Sequence, residues 1–280
     1  MIKMSVVIHT LNEQDNIRNC LETARWADEI VIIDMHSTDK TIDICKEYTD
    51  KIYQVEAHEF VGATRYFGLS KTSNEWVFIL DADERIPGKL AEFLKSTIRE
   101  DWPYDSVLIP RSNYFFGRHI RYAGFDEMHV KCLKKQIYKH TDRIHKDFPI
   151  PTKNTYRGIV SDPVKKNEMS LIHFPYQSVK QFITKSNPYT TVEARELYDD
   201  KHIFLWIELL YKPLSEFYHR YILLEGCRDG IHGFMVSLLL AVYRFMVYVK
   251  LWDITENSLT GQKYSQIEKD LIDEHRRQKP

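Results

Sequence analysis

Trp76-Val77-Phe78-Ile79-Leu80-Asp81-Ala82-Asp83-Glu84 is the stretch that decides how this chain folds. Five apolar residues run directly into three carboxylates. A continuous apolar run rich in β-formers predicts a strand buried on both faces, as in a parallel sheet. Anions packed this closely repel one another unless a cation or hydrogen-bond donors balance them. In open α/β sheets ligands sit at the carboxyl ends of the strands, where this cluster falls. A hard divalent cation, Mg2+ or Mn2+, suits such oxygen ligands, and the diphosphate of a sugar nucleotide would complete its shell. The alternative is a solvated turn leading into a helix, with Glu84 near the positive end of the helix dipole. For an isolated Asp-Ala-Asp that alternative wins, so the weight comes from the rest of the chain.

Toward the N-terminus, Ser5 to Thr10 and Glu29 to Asp34 predict two more buried strands, and Lys51 to Val55 a short third. Helical spacing of Ile17, Cys20, Leu21 and Ala24, then of Ile42, Ile44, Cys45 and Tyr48, places helices between them. Val61 to Lys71, carrying Arg65, reads as another. Strands alternating with helices predict a parallel, doubly wound sheet. Asn12, Asp34, Asp81 and Asp83 all fall just past strand ends, so the sheet gathers them at one edge, in a pocket suited to a nucleotide. Asn12 and Asp39 read equally well as capping residues, and Arg65 as a surface helix charge. The chain has no G-x-G-x-x-G and no G-x-x-x-x-G-K-[ST], which disfavours a dinucleotide oxidoreductase or a P-loop NTPase.

Composition sets further bounds. Over 280 residues the formal net charge is -1, which gives no basic field for nucleic acid. Cys20, Cys45, Cys132 and Cys227 are dispersed, without metal-ligand or redox spacing, and fit a reduced, cytosolic compartment. Met1 to Thr10 reads as a strand rather than a signal peptide.

Toward the C-terminus, Ser106 to Arg111 and Met128 to Leu133 predict strands. Between them lie Tyr114, Phe115, Phe116, Tyr122 and Phe125, rings that suit either a sugar or an ordinary core. Ser178 to Asp199 is a polar helical pattern containing Pro188, and after Lys201 the chain turns apolar and aromatic. Phe234 to Trp252 approaches the roughly 20 residues of a bilayer span. Arg244 in mid-run disfavours spanning. Helices lying in a membrane interface, or an interface between copies of the chain, fit better. In the membrane reading Arg220, Arg228, Arg244 and Lys250, spaced along these helices, would meet anionic headgroups. The expected organisation is a nucleotide-sugar-binding and catalytic domain over 1–177, a helical membrane-interface or oligomerisation region over 178–253, and a polar, mobile tail over 254–280.

Taken in order, Ser5-Val6-Val7-Ile8, Asn12-Glu13, Asp34 with Ser37-Thr38-Asp39, and Asp81-Ala82-Asp83-Glu84 resemble the family 2 glycosyltransferases of GT-A fold. Further matches run to about Asp253: Trp26 to Ile30, Asn113-Tyr114-Phe115 with Gly117, His173-Phe174 with Tyr176, Lys185 with Asn187, and Lys250 to Asp253. Within the family these look most like the bacterial lipopolysaccharide-core β-glucosyltransferases. The resemblance implies an α/β GT-A fold, a doubly wound, mostly parallel sheet with a C-terminal helical appendage. It also implies an inverting, metal-dependent transfer from a UDP-sugar to a lipid-linked or surface glycan, at the inner face of the cytoplasmic membrane.

Site roles follow from the same resemblance. Asp34 would accept a hydrogen bond from uracil, and Thr10, Asn12 and Glu13 would line the nucleotide. Asp81 would contact ribose or metal-bound water, with Ala82 beside it. Asp83 would ligate Mn2+ or Mg2+, and Arg65 would neutralise the phosphates. Glu127, with Asp126 its near rival, would be the general base on the acceptor hydroxyl. His145 is a candidate metal or phosphate contact. The chain departs from the family at Lys146, where relatives carry Glu, at Tyr66, where they often carry Asn, and at Glu127, where they place Asp. Two other readings stay open. A sugar nucleotidyltransferase would need a glycine-rich basic loop that Leu11 to Asn16 lacks. Lys146 points instead to an inactive nucleotide-binding membrane scaffold.

Overall fold

The computed structural model describes residues 2–56, 61–125, 127–138, 151–256 and 260–277. They divide into two compact units, Met1–Ser178 and Val179–Pro280.

In the first unit the apolar runs become strands in the expected alternation. Strand β1 (Met4–Thr10) is buried along its whole length and is followed by α1 (Ile17–Ala24). Then come β2 (Glu29–Asp34), α2 (Thr41–Cys45), β3 (Ile52–Gln54), α3 (Val61–Ser70) and β4 (Trp76–Asp81). These four strands run parallel in the order β3-β2-β1-β4. Both faces are covered, which is why the strands read as unbroken apolar runs. Val6, Ile8, Ile32, Phe78 and Leu80 pack with Leu21 and Leu90 on one side. Val7, Val31, Ile33, Val77 and Ile79 pack with Leu69 on the other. Helix α3 lies close to the sheet at Gly68. A Cβ there would sit 2.9 Å from Val7 Cγ2 and 3.0 Å from Ile33 Cγ1.

Past the carboxylate turn the sheet becomes mixed. Strand β5 (Glu84–Arg85) leads to α4 (Gly88–Thr97), β6 (Ser106–Phe115), β7 (Arg118–Ile120) and β8 (Glu127–Lys134). Strand β9 (Thr155–Tyr156), α5 (Pro163–Glu168) and β10 (Leu171–Tyr176) complete the unit. The order continues β4-β8-β6-β10-β5, with β7 and β9 also paired to β6. Strand β8 runs antiparallel to both β4 and β6, and β10 runs parallel to β6. Strand β6 is longer than the Ser106 to Arg111 run suggests. Pairing with β7 and β10 carries it through Asn113, Tyr114 and Phe115.

The second unit is helical: α6 (Val179–Asp199), α7 (Glu208–Tyr218) and α8 (Gly230–Glu256) around Ala194, Val247, Tyr248 and Leu251. Pro188 lies inside α6. Arg244, the charge in the middle of the long apolar helix, is spent within the unit, with Nη1 3.2 Å from Glu193 Oε2. The C-terminal stretch, expected as a tail, forms α9 (Thr260–Arg277). Its Tyr264, Ile267 and Leu271 recur at helical spacing amid the charges, a pattern that overall polarity conceals.

Candidate active site

The parallel register levels the strand ends. Thr10 pairs with Asp34, His9 with Asp81, and Asp34 with Gln54. Asp34 on β2 and Asp81 on β4 therefore stand level at one edge, on either side of β1.

Asp34 is fully buried. Its Oδ2 accepts from Ser37 N at 3.0 Å and from Gln54 Nε2 at 3.2 Å. Its Oδ1 is buried without a hydrogen-bond partner among the described residues, as is the adjacent Thr10 Oγ1. Asn12 stands in the left-handed region at φ 53° and ties two loops together. Its N–H donates to Ser37 Oγ, and its Oδ1 accepts from Thr38 N, each at 2.8 Å. Glu13 N and Thr41 Oγ1 make a third tie, at 2.9 Å. Asp39 accepts from Thr41 N at 2.9 Å. Asn12 thus ties loops together rather than capping a helix, and Asp39 holds the first residue of α2.

Asp81 is held differently from Asp34. Lys131, only 1% exposed, donates from Nζ to Asp81 Oδ2 at 2.8 Å and to Glu84 Oε2 at 2.6 Å. Arg65 Nη2 lies 3.5 Å from Asp81 Oδ1. Burial pushes the Asp81 carboxyl up, but the Lys131 and Arg65 charges outweigh it and hold it well below the usual carboxylate range. Arg65 is therefore no surface charge: it is buried beside Asp81. Glu84 is fully buried, and its Oε2 also accepts from Asp81 N at 3.0 Å. Ala82 is buried in the same turn, where its small side chain leaves room. A solvated turn is excluded by these burials. Unpaired, the anions would not tolerate such a place; with Lys131, Arg65 and Arg111 around them they do.

Asp83 turns toward β10, with Oδ1 3.6 Å from His173 Nε2. His173 Nδ1 and Asn113 Oδ1 are 2.6 Å apart. The other end of the Asn113 amide donates to Phe125 O at 3.1 Å and to Glu127 Oε2 at 3.4 Å. Both of those partners only accept, so the amide orientation is fixed by chemistry. Asn113 Oδ1 must then accept from His173 Nδ1–H. In the neutral ring this leaves the Nε2 lone pair facing a carboxylate, two acceptors that either a ring proton or a metal cation satisfies.

Glu127 is anchored by one oxygen. Arg111, Asn113 and His129 all converge on Oε2, and Oε1 takes no hydrogen bond from the described residues. Burial would raise its carboxyl, but the His129 hydrogen bond and the Arg111 guanidinium bring it down to about 2. Arg111 also approaches Glu84, with Nη1 3.6 Å from Oε1, and so joins the two clusters. Asp126 and His145 lie outside the described residues.

Lys131, Glu84, Arg111, Asn113 and His173 complete the constellation. The lysine inside the apolar run Val130-Lys131-Cys132-Leu133 was a usable signal: a buried strand holds a cation only against an anion. A separate cavity of ≈ 760 Å3 lined by Asp28, Glu29, Lys51 and Asn74 lies at the amino ends of the parallel strands and contains none of these residues.

The sequence model of glycosyl transferase family 2 matches residues 5–157. The lipopolysaccharide core biosynthesis glycosyltransferase LpsC of Rhizobium meliloti is 25% identical over 257 residues, covering 90% of this chain and 92% of the relative. The glycosyltransferase RP128 of Rickettsia prowazekii is 26% identical over 285 residues, covering 94% and 92%. Among solved structures, glucosyl-3-phosphoglycerate synthase from Mycobacterium tuberculosis aligns at 17% identity over 49% of this chain and 58% of that one, with a TM-score of 0.38. The match spans the strands from β1 to β9 and the carboxylates described above: the chain is a glycosyltransferase of GT-A fold and belongs to glycosyl transferase family 2.

Proposed function

We propose that this enzyme transfers a sugar, with inversion, from a UDP-sugar to a glycan acceptor, and that Asp83 and His173 hold the divalent cation the reaction needs. One observation carries the reading. Asn113 joins the Asp83–His173 pair to Glu127, so the metal-binding and proton-accepting groups form one hydrogen-bonded chain.

The donor set fits Mn2+ or Mg2+: a carboxylate oxygen and an imidazole nitrogen whose other nitrogen is fixed by an amide. When bound, the cation supplies Lewis-acid stabilisation of the departing diphosphate. The protein's own groups do the rest. Asp34 Oδ1 offers a buried acceptor without a donor. An orphaned acceptor of this kind costs about 1–3 kcal/mol, which an N–H from the uracil ring would recover. Thr10 Oγ1 stands beside it. Arg65 and Lys131 balance Asp81 and hold the carboxylate turn in shape. In this reading Arg65 acts on the phosphates through that turn and does not touch them. Glu127, oriented through Oε2, presents Oε1 to take the acceptor proton as the oxygen attacks the anomeric carbon. Asp126 remains its rival by position in the sequence.

The likeness to LpsC supports a lipopolysaccharide-core acceptor. The second unit supports a membrane location. Ile203, Trp206 and Leu214 are 79%, 67% and 67% exposed, and Pro213, Leu214, Phe217, Phe234, Leu238 and Phe245 line an apolar groove of ≈ 450 Å3. We assign this face to the bilayer surface. The chain is then organised as a catalytic unit and a membrane-docking unit, divided near Ser178.

The test is a panel of nucleotide-sugars assayed for nucleotide release with Mn2+, comparing wild type with Asp83→Ala. UDP-sugar turnover in the wild type and its loss in the variant are expected. Undiminished activity in the variant would refute the metal assignment. No turnover with any donor would favour the inactive scaffold.

A further inference from the structure

Arg85 is a half-buried guanidinium with only neutral partners. Its Nη1 donates to Ala82 O at 2.9 Å and Glu84 O at 2.8 Å, and its Nη2 donates to Asn16 Oδ1 at 3.2 Å. No carboxylate among the described residues forms an ion pair with it. Three of its five N–H donors are used, which leaves two, the number that a carboxylate or phosphate takes from an arginine fork. Asp83 and Glu13 act on it through space, but neither forms an ion pair with it, and its partial burial removes hydration that an anion would replace.

The guanidinium faces a cavity of ≈ 380 Å3. Its walls include Tyr114, Phe174 and Tyr176, with Asn19 and Gln177 at polar positions. Arg85 Cζ lies 5.6 Å from the Phe174 ring centre, and Tyr114 packs on the same ring, with centres 5.6 Å apart. Flat aromatic walls with a few polar groups are the surface on which sugar rings stack. Asp15 also lines the cavity, but it is exposed and makes no ion pair with Arg85. The cavity adjoins the transfer site: Phe174 N donates to Asp83 O at 2.9 Å, and His173 is the preceding residue. Its walls come from β5, β6 and β10 and from the segment Asp15 to Asn19 that follows β1, and neither Thr10 nor Asp34 lines it.

We infer that this cavity binds an anionic sugar of the acceptor, stacking its ring on Tyr114 and Phe174 and pairing its carboxylate or phosphate with Arg85. The inference rests on the glycosyl-transfer reading and narrows its acceptor to a charged glycan.

Saturation-transfer NMR on the full chain, with diamagnetic Mg2+ present and UDP added by titration, would compare methyl glucuronide with methyl glucoside as probes. The glucuronide is expected to bind more tightly. Arg85→Gln should weaken it about tenfold or more and leave the glucoside nearly unchanged, the loss expected for a charge-assisted pair. Arg85 also holds the turn at Ala82 and Glu84, so Asn19→Asp serves as a second variant: an added anion at an exposed wall position should weaken only the glucuronide. Equal binding of the two probes to wild type overturns the inference. So does displacement of the glucuronide by UDP, which would give Arg85 to the donor diphosphate. UDP binding in the same samples tests the parent reading separately: if UDP fails to bind, the transfer reading falls, whatever the probes do.

Discussion

Asn113 is 1% exposed and uses both ends of its amide, one toward His173 and the other toward Glu127. That arrangement gives Glu127 one fixed and one open oxygen, which suits a base that must aim. Its carboxyl, held down to about 2, stays ionised through the physiological range. Glu127→Gln should therefore lower kcat by about 10²–10⁴-fold with little change in donor KM. The ratio of wild type to variant should be the same at about pH 5.5 and pH 8, because no protonation of Glu127 intervenes. The sign for stability is the usual one for a depressed carboxyl. The contribution is present above the ordinary value of 4.5 and is lost as pH falls toward about 2. A variant with unchanged kcat would move the base elsewhere, first to Asp126. At this scale the places of Asp34 and Asp81 were legible in the sequence, because each ends a plain apolar run, and Asp83 follows Asp81 by two residues. His173 appeared only inside a motif. Its role depends on Asn113, which lies 60 positions away along the chain.

The elements explain what local pattern left out. The four parallel strands announce themselves as buried runs, and their boundaries move by a residue or two. Strands β8 and β10 contribute Lys131 and His173, yet nothing local to either says beside which strand it will lie. The pairing of β8 between β4 and β6 is a non-local fact, and it turns an odd lysine into the counterion of Asp81. Helix α3 depends on a single small residue. Gly68→Ala forces a methyl into Val7 and Ile33, and it should cost about 1–3 kcal/mol, read as a lowered urea midpoint with an unchanged slope. A variant as stable as wild type would show that α3 can lift from the sheet without loss.

At the scale of the whole molecule, the second unit bears on how the proposed membrane docking would work. Arg220, Arg228, Arg244 and Lys250 read as contacts for anionic headgroups. In the structure Arg220 pairs with Glu216, Arg228 with Glu225, Arg244 with Glu193, and Lys250 Nζ donates to Asn187, Thr190 and Thr191. Spacing along a helix does not reveal which charges already have partners. In the proposed docking the apolar face carries the contact, and salt should not reverse it. The full chain should float with liposomes and stay bound in about 1 M salt, while Leu214→Glu with Leu238→Glu should abolish flotation. A chain that remains in the aqueous fraction as a compact dimer would make the groove an interface between copies instead.

Asp83, near the middle of the first unit's sequence, and His173, close to its end, are the residues proposed to form the cation site of this glycosyltransferase. Electron paramagnetic resonance of Mn2+ titrated into the full chain with UDP tests it most directly. The account predicts that Asp83→Ala and His173→Ala each weaken Mn2+ binding by about tenfold or more, and that His145→Ala changes it little. Wild-type Mn2+ affinity in His173→Ala would contradict the account.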